Sequence, residues 1–341
     1  MVRAVIENRK AFRDALVTWF ARHGKDYPWR RTREAYAVLV SEVMLQQTQI
    51  ATVLGKGYYT RFLETFPDLA SLAAADDERL LKAWEGLGYY RRARMLRETA
   101  RAVIARHGGK FPQEPEELLE LPGIGRYTAG ALRAFAFDLP GALVDGNVVR
   151  VLARLMNFTA PVDDAKGGRQ MWEWAEVLED RQQPRLYNSA LMELGQTRCR
   201  PGVPDCGGCP VARFCSAKTP ERLPVKRQKT LVTAVDEHAL WLRDGSGRLL
   251  LHCEDGKRRT GLWKLPTRAA AEISQLAVLA EQRYAITRYR VRLRVHDGGA
   301  GRFVLAQGEA WMALETVARL PMPSPFRAVV TRLLEESTNR V

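Results

Sequence analysis

No run of apolar residues in this 341-residue chain approaches the roughly 18 that a membrane-spanning helix needs, so no span is expected. The opening residues MVRAVIENRKAFRDAL set charged and apolar side chains at helical spacing, without the unbroken apolar stretch and small-residue cleavage site of a signal peptide. A soluble, cytoplasmic protein is the expectation. Cysteine is scarce, five residues in all, and in a chain without an export signal those five are not expected to form disulfides. Acidic residues are in short supply too: 39 Asp and Glu against 53 Lys and Arg leave a formal charge of +14. Internal repeats and low-complexity tracts are also missing.

The excess of base is the first positive indication, because Lys and Arg attract a polyanion and displace the counterions condensed on its phosphates. The parts before and after residue 225 carry +6 and +8, so the charge is not one basic tail and both parts could touch one nucleic acid. With 46% apolar and 27% charged residues the composition is globular. Its length exceeds one comfortable hydrophobic core, which makes two domains the natural expectation.

Up to about residue 218 apolar residues recur at i, i+3 and i+4, as in Tyr36 to Leu45 and Val148 to Met156, and read as helix after helix. After Cys215 the stretch SAKTPERLPVKRQK holds two prolines, five basic residues and little to bury, the composition of a linker. Beyond it the period changes to two. LVTAVDEHALWLRD, the turn Asp244-Gly245-Ser246-Gly247 and RLLLHCED read as strand, hairpin and strand. Further on, Tyr289, Val291, Leu293 and Val295 alternate with Arg288, Arg290, Arg292 and Arg294, so one face of that strand is apolar and the other basic. A wet sheet face normally mixes signs; four arginines with no acid between them favour phosphate contact.

Four of the five cysteines, Cys199, Cys206, Cys209 and Cys215, fall within 17 positions as C-x6-C-x2-C-x5-C. Four soft thiolates suit zinc or a cubane iron–sulfur cluster, and structural zinc usually takes two close pairs rather than this single, pair, single arrangement. Cys253 stands apart in a strand pattern and reads as a small core residue. Residues 115–137, PEELLELPGIGRYTAGALRAFAF, hold a short helix opened by Pro115, the hairpin Leu121-Pro122-Gly123-Ile124-Gly125 and a second helix. Glycines 123 and 125 let the backbone turn sharply and approach a phosphate, with the amides of the next helix pointing at it. Two acids have neighbours that suggest more than a wet surface. Glu42 is followed by Val43, Met44 and Leu45, so burial is plausible, and Asp145 precedes Val148-Val149-Arg150 as a helix N-cap would.

The hairpin LPGIGRYTAGA, VDGNVVRV at 144–151, SEVMLQQTQ at 41–49, the cysteine run and GLWKLP at 261–266 together resemble the helix-hairpin-helix, iron–sulfur DNA glycosylases, and within them the adenine-removing, MutY-type branch. That resemblance implies a multidomain α and α+β protein: an all-helical helix-hairpin-helix glycosylase domain with an iron–sulfur lobe, followed by a Nudix-like α+β domain. Residues 1–220 would form the helical catalytic region, with a six-helix barrel at about 28–138 and the iron–sulfur lobe from 1–27 and 139–220. Residues 221–230 would be the linker and 231–336 the lesion-recognition domain. Cys199, Cys206, Cys209 and Cys215 would hold a [4Fe–4S] cluster. Glu42 would be the general acid that also activates water, and Asp145 would stabilise the oxocarbenium ion. Asn147 would bond to the Asp145 region, and Tyr127 stands where strand-cleaving relatives carry a Schiff-base lysine, which implies base removal alone. Glu193 would contact the flipped adenine, and Trp29, with Arg30 nearby, would stack on it. Gln46 and Gln47, flanked by Leu45 and Thr48, match a wedge that fills the place of the flipped nucleotide, assisted by Tyr89 or Tyr90. Thr287 is the nearest match to a hydroxyl that reads 8-oxoguanine, and Gly123 and Gly125 would meet phosphates. The magnesium-binding glutamate helix of Nudix hydrolases is missing, so no pyrophosphatase activity is expected. The implied partner is double-stranded DNA holding adenine opposite 8-oxoguanine or guanine, bound by a monomer that is nucleoid-associated when on DNA. The alternatives are a thymine or uracil mismatch glycosylase and a non-catalytic, redox-sensing DNA-binding protein.

Overall fold

The amphipathic spacing of the first two thirds of the chain produces helices, and the period-two pattern of the last third produces strands. The computed structural model describes residues 8–227, 231–256, 259–299 and 304–338. Residues 1–7 of the expected lobe, 228–230 of the expected linker, and 257–258 and 300–303 of the expected second domain lie outside the described residues. The helices are α1 (Arg9–His23), α2 (Ala35–Leu45), α3 (Ile50–Gly55), α4 (Tyr58–Thr65), α5 (Leu69–Ala73), α6 (Asp77–Ala83), α7 (Arg91–His107), α8 (Pro115–Leu119), α9 (Arg126–Ala131), α10 (Gly146–Leu155), α11 (Ala165–Leu178), α12 (Pro184–Thr197), α13 (Ala270–Ile273), α14 (Leu314–Arg319) and α15 (Ser324–Thr338). The strands are β1 (Thr233–Trp241), β2 (Leu249–Cys253), β3 (Trp263–Lys264), β4 (Val278–Ile286), β5 (Tyr289–Asp297) and β6 (Glu309–Met312). The chain divides into two compact units, Met1–Gln46 with Thr99–Lys229 and Gln47–Glu98 with Thr230–Val341, the second boundary falling inside α7.

In the first unit α1, α10, α11 and α12 bury their apolar stripes against one another around Phe12, Leu16, Leu152, Met171, Tyr187 and Leu191. α2 is buried on almost every side, from Val38 through Met44, as a helix apolar all round its circumference must be. The α8–α9 hairpin forms as expected: Pro115 starts α8, Ile124 N–H donates to the Leu121 carbonyl, and Gly123 sits at φ 81°. Part of the expected linker is strapped down. Leu223 is buried, and the Val225 carbonyl accepts from the Val162 N–H at 3.0 Å.

In the second unit two three-stranded sheets, ordered β1-β5-β4 and β3-β2-β6, enclose a core with α14 and α15 around Leu251, Leu293, Val295, Phe326 and Val330. The hairpin expected from LVTAVDEHALWLRD to RLLLHCED forms beside its turn, where the Leu250 N–H donates to the Leu242 carbonyl at 3.0 Å and Arg243 faces Leu249 in antiparallel register, but it does not extend into β1. Its turn closes, Gly247 N–H to the Asp244 carbonyl at 2.9 Å, but β1 pairs in parallel with β5 while β2 joins β3 and β6. The Pro266–Thr267 segment takes the free edge of β1 at Leu240 and Ala239, so β2 cannot zip along it. Helices of residues 47–98 are fixed to the C-terminal part of the same unit. Tyr90 Oη donates to the Met322 carbonyl, Lys82 Nζ to that of Ala318, and Arg327 Nε to Glu85.

Candidate active site

Because α2 is buried all round, Glu42 is carried into the interior with only 6% of its surface exposed. Burial raises its pKa from 4.5 to about 7; a hydrogen bond from Tyr127 and the charge of Arg30 oppose that rise, and Asp145 adds to it. Tyr127, in the first turn of α9, donates from Oη to Glu42 Oε2 at 2.8 Å. Its own phenol is pushed well above 10 by burial and by the two acids. Asp145 is the N-cap of α10. Its Oδ1 accepts from the Asn147 and Val148 N–H groups at 2.9 and 2.7 Å, and its Oδ2 from Asn147 Nδ2 at 2.8 Å. The N-cap role fixes the carboxylate in one orientation, so structural and chemical uses of Asp145 coincide.

A second cluster of the first unit joins Glu193 and Arg30. Glu193 is fully buried on α12; its Oε2 accepts from Arg30 Nη1 at 2.9 Å, and among the described residues its Oε1 has no hydrogen-bond partner. An unpaired buried acceptor costs about 1–3 kcal/mol, which a ligand donor would recover. Trp29 is buried and stacked on Tyr27 at 5.2 Å between centroids. Leu45 is half-buried and Gln46 exposed at the end of α2, and Gly123 and Gly125 are exposed. Among the described residues, a Cβ on Gly125 would meet nothing within 4 Å.

Gln47, Thr48, Tyr89 and Thr287 belong to the second unit. Gln47, Tyr89 and Thr287 are exposed and left-handed, at φ 61°, 46° and 50°. Such strain costs about 1–3 kcal/mol per residue and concentrates at functional sites. Tyr90, by contrast, is buried and hydrogen-bonded, so Tyr89 is the surface member of the pair. Thr287 occupies the tight turn between β4 and β5, its hydroxyl donating to the Ile286 carbonyl.

The residues that sequence reasoning missed are Arg150 and Arg154, which follow Asn147 by three and seven positions and so share its helix face. Arg150 donates to Asn147 Oδ1 at 2.8 Å and to the carbonyls of Gly195 and Cys199 at 2.7 Å each. α12 comes so close here that a Cβ on Gly195 would lie 2.7 Å from that of Asn147. Arg154, 2% exposed, donates to the carbonyls of Pro220, Arg200 and Gly202 and to Cys199 Sγ at 3.3 Å. The spacing of 3 and 4 on one helix was the available signal.

Among the described residues the four clustered cysteines form no disulfide. Burial pushes Cys209 up to about 11, with Cys199, Cys215 and Cys206 adding to the rise, so the four are electrostatic neighbours. Sulfurs here receive N–H donors, from Arg154 to Cys199, from the Val211 amide to Cys209 and from the Ala217 amide to Cys215. A set of soft donors supplied with N–H bonds suits anionic sulfur in a multi-iron cluster. Among the described residues no three His, Cys, Asp or Glu side chains are gathered as a single metal ion would need.

Residues 40–176 match the HhH-GPD superfamily base excision DNA repair protein family. The chain is 46% identical over 216 residues to the adenine DNA glycosylase of Rattus norvegicus, covering 61% of this chain and 42% of that protein. It is 31% identical over 244 residues to the adenine DNA glycosylase of Buchnera aphidicola subsp. Acyrthosiphon pisum (strain APS), covering 68% of this chain and 69% of that one. Among solved structures, a thermostable thymine-DNA glycosylase superposes with a TM-score of 0.56 at 31% identity, over 62% of this chain and 96% of that one. The chain spans about two fifths of the length of the mammalian proteins it matches.

Proposed function

The chain belongs to the HhH-GPD superfamily of base excision DNA repair proteins, and on that premise we propose that it is a monofunctional glycosylase that hydrolyses the N-glycosidic bond of adenine opposite 8-oxoguanine or guanine in duplex DNA. The observation that carries this reading is a buried carboxyl at Glu42 with a pKa near 7, bonded to Tyr127 and beside an Asp145 fixed as a helix cap.

Protonated near neutral pH, Glu42 donates its proton to a ring nitrogen of the departing purine. The electron pair of the glycosidic bond leaves with the base, and positive charge grows on the sugar ring. Asp145, oriented by three N–H donors, places its negative charge against that cation. Water then adds to the anomeric carbon, and the Glu42 carboxylate takes the proton that water gives up. Tyr127 has no amine with which to form a Schiff base, so the strand stays intact.

The unpaired Glu193 Oε1 supports adenine in particular. A buried carboxylate oxygen accepts from the exocyclic amine of adenine, whereas thymine and uracil present a carbonyl at the corresponding edge. The likeness to a thymine-DNA glycosylase gives mismatched thymine as the second reading. Trp29 would wall the base pocket, and Leu45, Gln46, Gln47, Thr48 and Tyr89 would hold the duplex open. Gly123 and Gly125, exposed at the hairpin, would admit a phosphate, since among the described residues nothing crowds Gly125. Cys199, Cys206, Cys209 and Cys215 would hold a [4Fe–4S] cluster that, when bound, orders the segment following α12. The exposed Thr287 turn would read the oxidised base. Single-turnover base release decides between readings. Adenine opposite 8-oxoguanine should be released fastest and adenine opposite guanine more slowly, with thymine and uracil mismatches inert; faster release of thymine overturns the proposal.

A further inference from the structure

Arg92 lies in the first turn of α7 beneath two surface segments of the second unit, and its guanidinium is engaged within them. Nη2 donates to Thr48 Oγ1 at 3.3 Å and to the carbonyls of Leu87 and Gly88 at 3.0 and 3.2 Å. The guanidinium carbon lies 5.6 Å from the ring centre of Tyr89 and 5.5 Å from that of the fully buried Trp84. Trp84 Nε1 donates to the Gly88 carbonyl at 3.1 Å, so that carbonyl is gripped twice. Gly88, Tyr89 and Gln47 are all left-handed. A tyrosine keeps that conformation only where its surroundings over-determine it, and a planar cation that lies between two rings and donates to three oxygen acceptors does so. Burial lowers the guanidinium only to about 10, and it stays charged at neutral pH.

We propose that Arg92 is a positioning residue that holds Tyr89 and the Gln47–Thr48 segment in the conformation that enters a duplex and keeps open the place of an extruded nucleotide. The inference rests on the reading of Gln47 and Tyr89 as the wedge. Its physical content is pre-organisation. Without the guanidinium, Tyr89 relaxes toward ordinary extended backbone, and ordering it again must come out of the binding energy at the moment of base extrusion. Arg92 differs from a phosphate contact in that its Nη2 donates to Thr48, Leu87 and Gly88 of the protein itself.

The test uses the full chain and two duplexes with the same target adenine. In one the adenine is paired and flanked by 2-aminopurine, whose fluorescence reports unstacking; in the other it sits in a single-nucleotide bulge and is already unstacked. Arg92→Met should slow single-turnover release from the paired duplex by about 10- to 100-fold, as small misplacements of positioned groups do, and suppress the fluorescence rise. Release from the bulge should stay within about threefold, because little unstacking remains to be done there. Arg92→Lys should behave like Arg92→Met, since an ammonium has no flat face to lie between the rings of Trp84 and Tyr89; it carries the comparison if the methionine variant fails to fold. Wild-type unstacking in Arg92→Lys, or equal losses on both duplexes, overturns the proposal. Tyr89→Ala separates the two levels: if it unstacks normally the wedge reading itself fails, and if it is defective while Arg92→Met is not, only the role of Arg92 fails.

Discussion

Glu42 shows how a single residue can weaken a fold and serve its chemistry. The unfolded chain loses this proton near pH 4.5, while the folded chain keeps it to about pH 7, so the folded state binds more protons in that window. Stability contributed at this position therefore falls as pH rises from about 4.5 to 7 and stays low above it. Glutamine keeps an oxygen to accept from Tyr127 without any charge to bury, so Glu42→Gln should stabilise the protein by about 1–3 kcal/mol at pH 8 and by little at pH 4.5. Base release should fall by several orders of magnitude in the same variant. In the unaltered protein, single-turnover release should decline as pH rises through about 7, where the acid form is lost. Thermal melting and rate profiles across that range check all three. A gain in stability over the unaltered protein that is no larger at pH 8 than at pH 4.5 would mean that Glu42 is not held protonated by burial.

At the level of elements, α10 and β5 each carry a pattern whose meaning depends on what lies beside it. Along α10 the cap Asp145 and the side chains of Asn147, Arg150 and Arg154 run in a hydrogen-bonded series toward Cys199, so one helix connects the acid cluster with the cysteine segment. On β5 the apolar alternation is as expected, with Val291, Leu293 and Val295 buried. The expected basic face is not uniform, and the correction comes from its neighbours across the sheet. Arg292 forms two bonds to Asp236 of β1, at 2.8 and 2.7 Å, and Arg294 lies 3.7 Å from Glu281 of β4. Arg290, on the same strand, is exposed. If this strand meets a phosphate, Arg290→Ala should reduce the salt dependence of duplex binding by about one unit of slope, and Arg292→Ala by less, since its charge is already compensated. Titrations at several salt concentrations would show it; equal slopes in both variants and the unaltered protein would remove β5 from the DNA interface.

For the whole molecule, the two compact units bear on how lesion recognition should be tested. Cutting the chain near residue 226 leaves the helices of 47–98 without the carbonyls of Ala318 and Met322 and without Arg327, their partners within the second unit. A truncated chain should therefore melt at lower temperature as well as lose discrimination, and its defects cannot be assigned to lesion reading alone. Thr287→Ala is the cleaner probe because its side chain is exposed and its hydroxyl bonds to its own neighbour's carbonyl. It should lower the preference for 8-oxoguanine over guanine opposite adenine, with melting unchanged. An unaltered affinity ratio in paired titrations would place lesion reading elsewhere.

By itself the sequence determined the helical first part, the strands and alternation of the last part, the α8–α9 hairpin and the identities of the acids, because these depend on local periodicity, glycine and proline placement and side-chain chemistry. It could also mark Asp145 as a cap, since a cap is defined by its next three residues. Tertiary structure decided that β1 pairs with β5 instead of β2, that Asp236 and Glu281 neutralise part of the basic face, and that Tyr90 is buried where Tyr89 is not. It also decided that Glu42 titrates near neutrality and that, among the described residues, Glu193 keeps an unpaired oxygen. Each of these depends on which residues from distant parts of the chain surround a group, and so on desolvation and partner charge, which no local spacing contains.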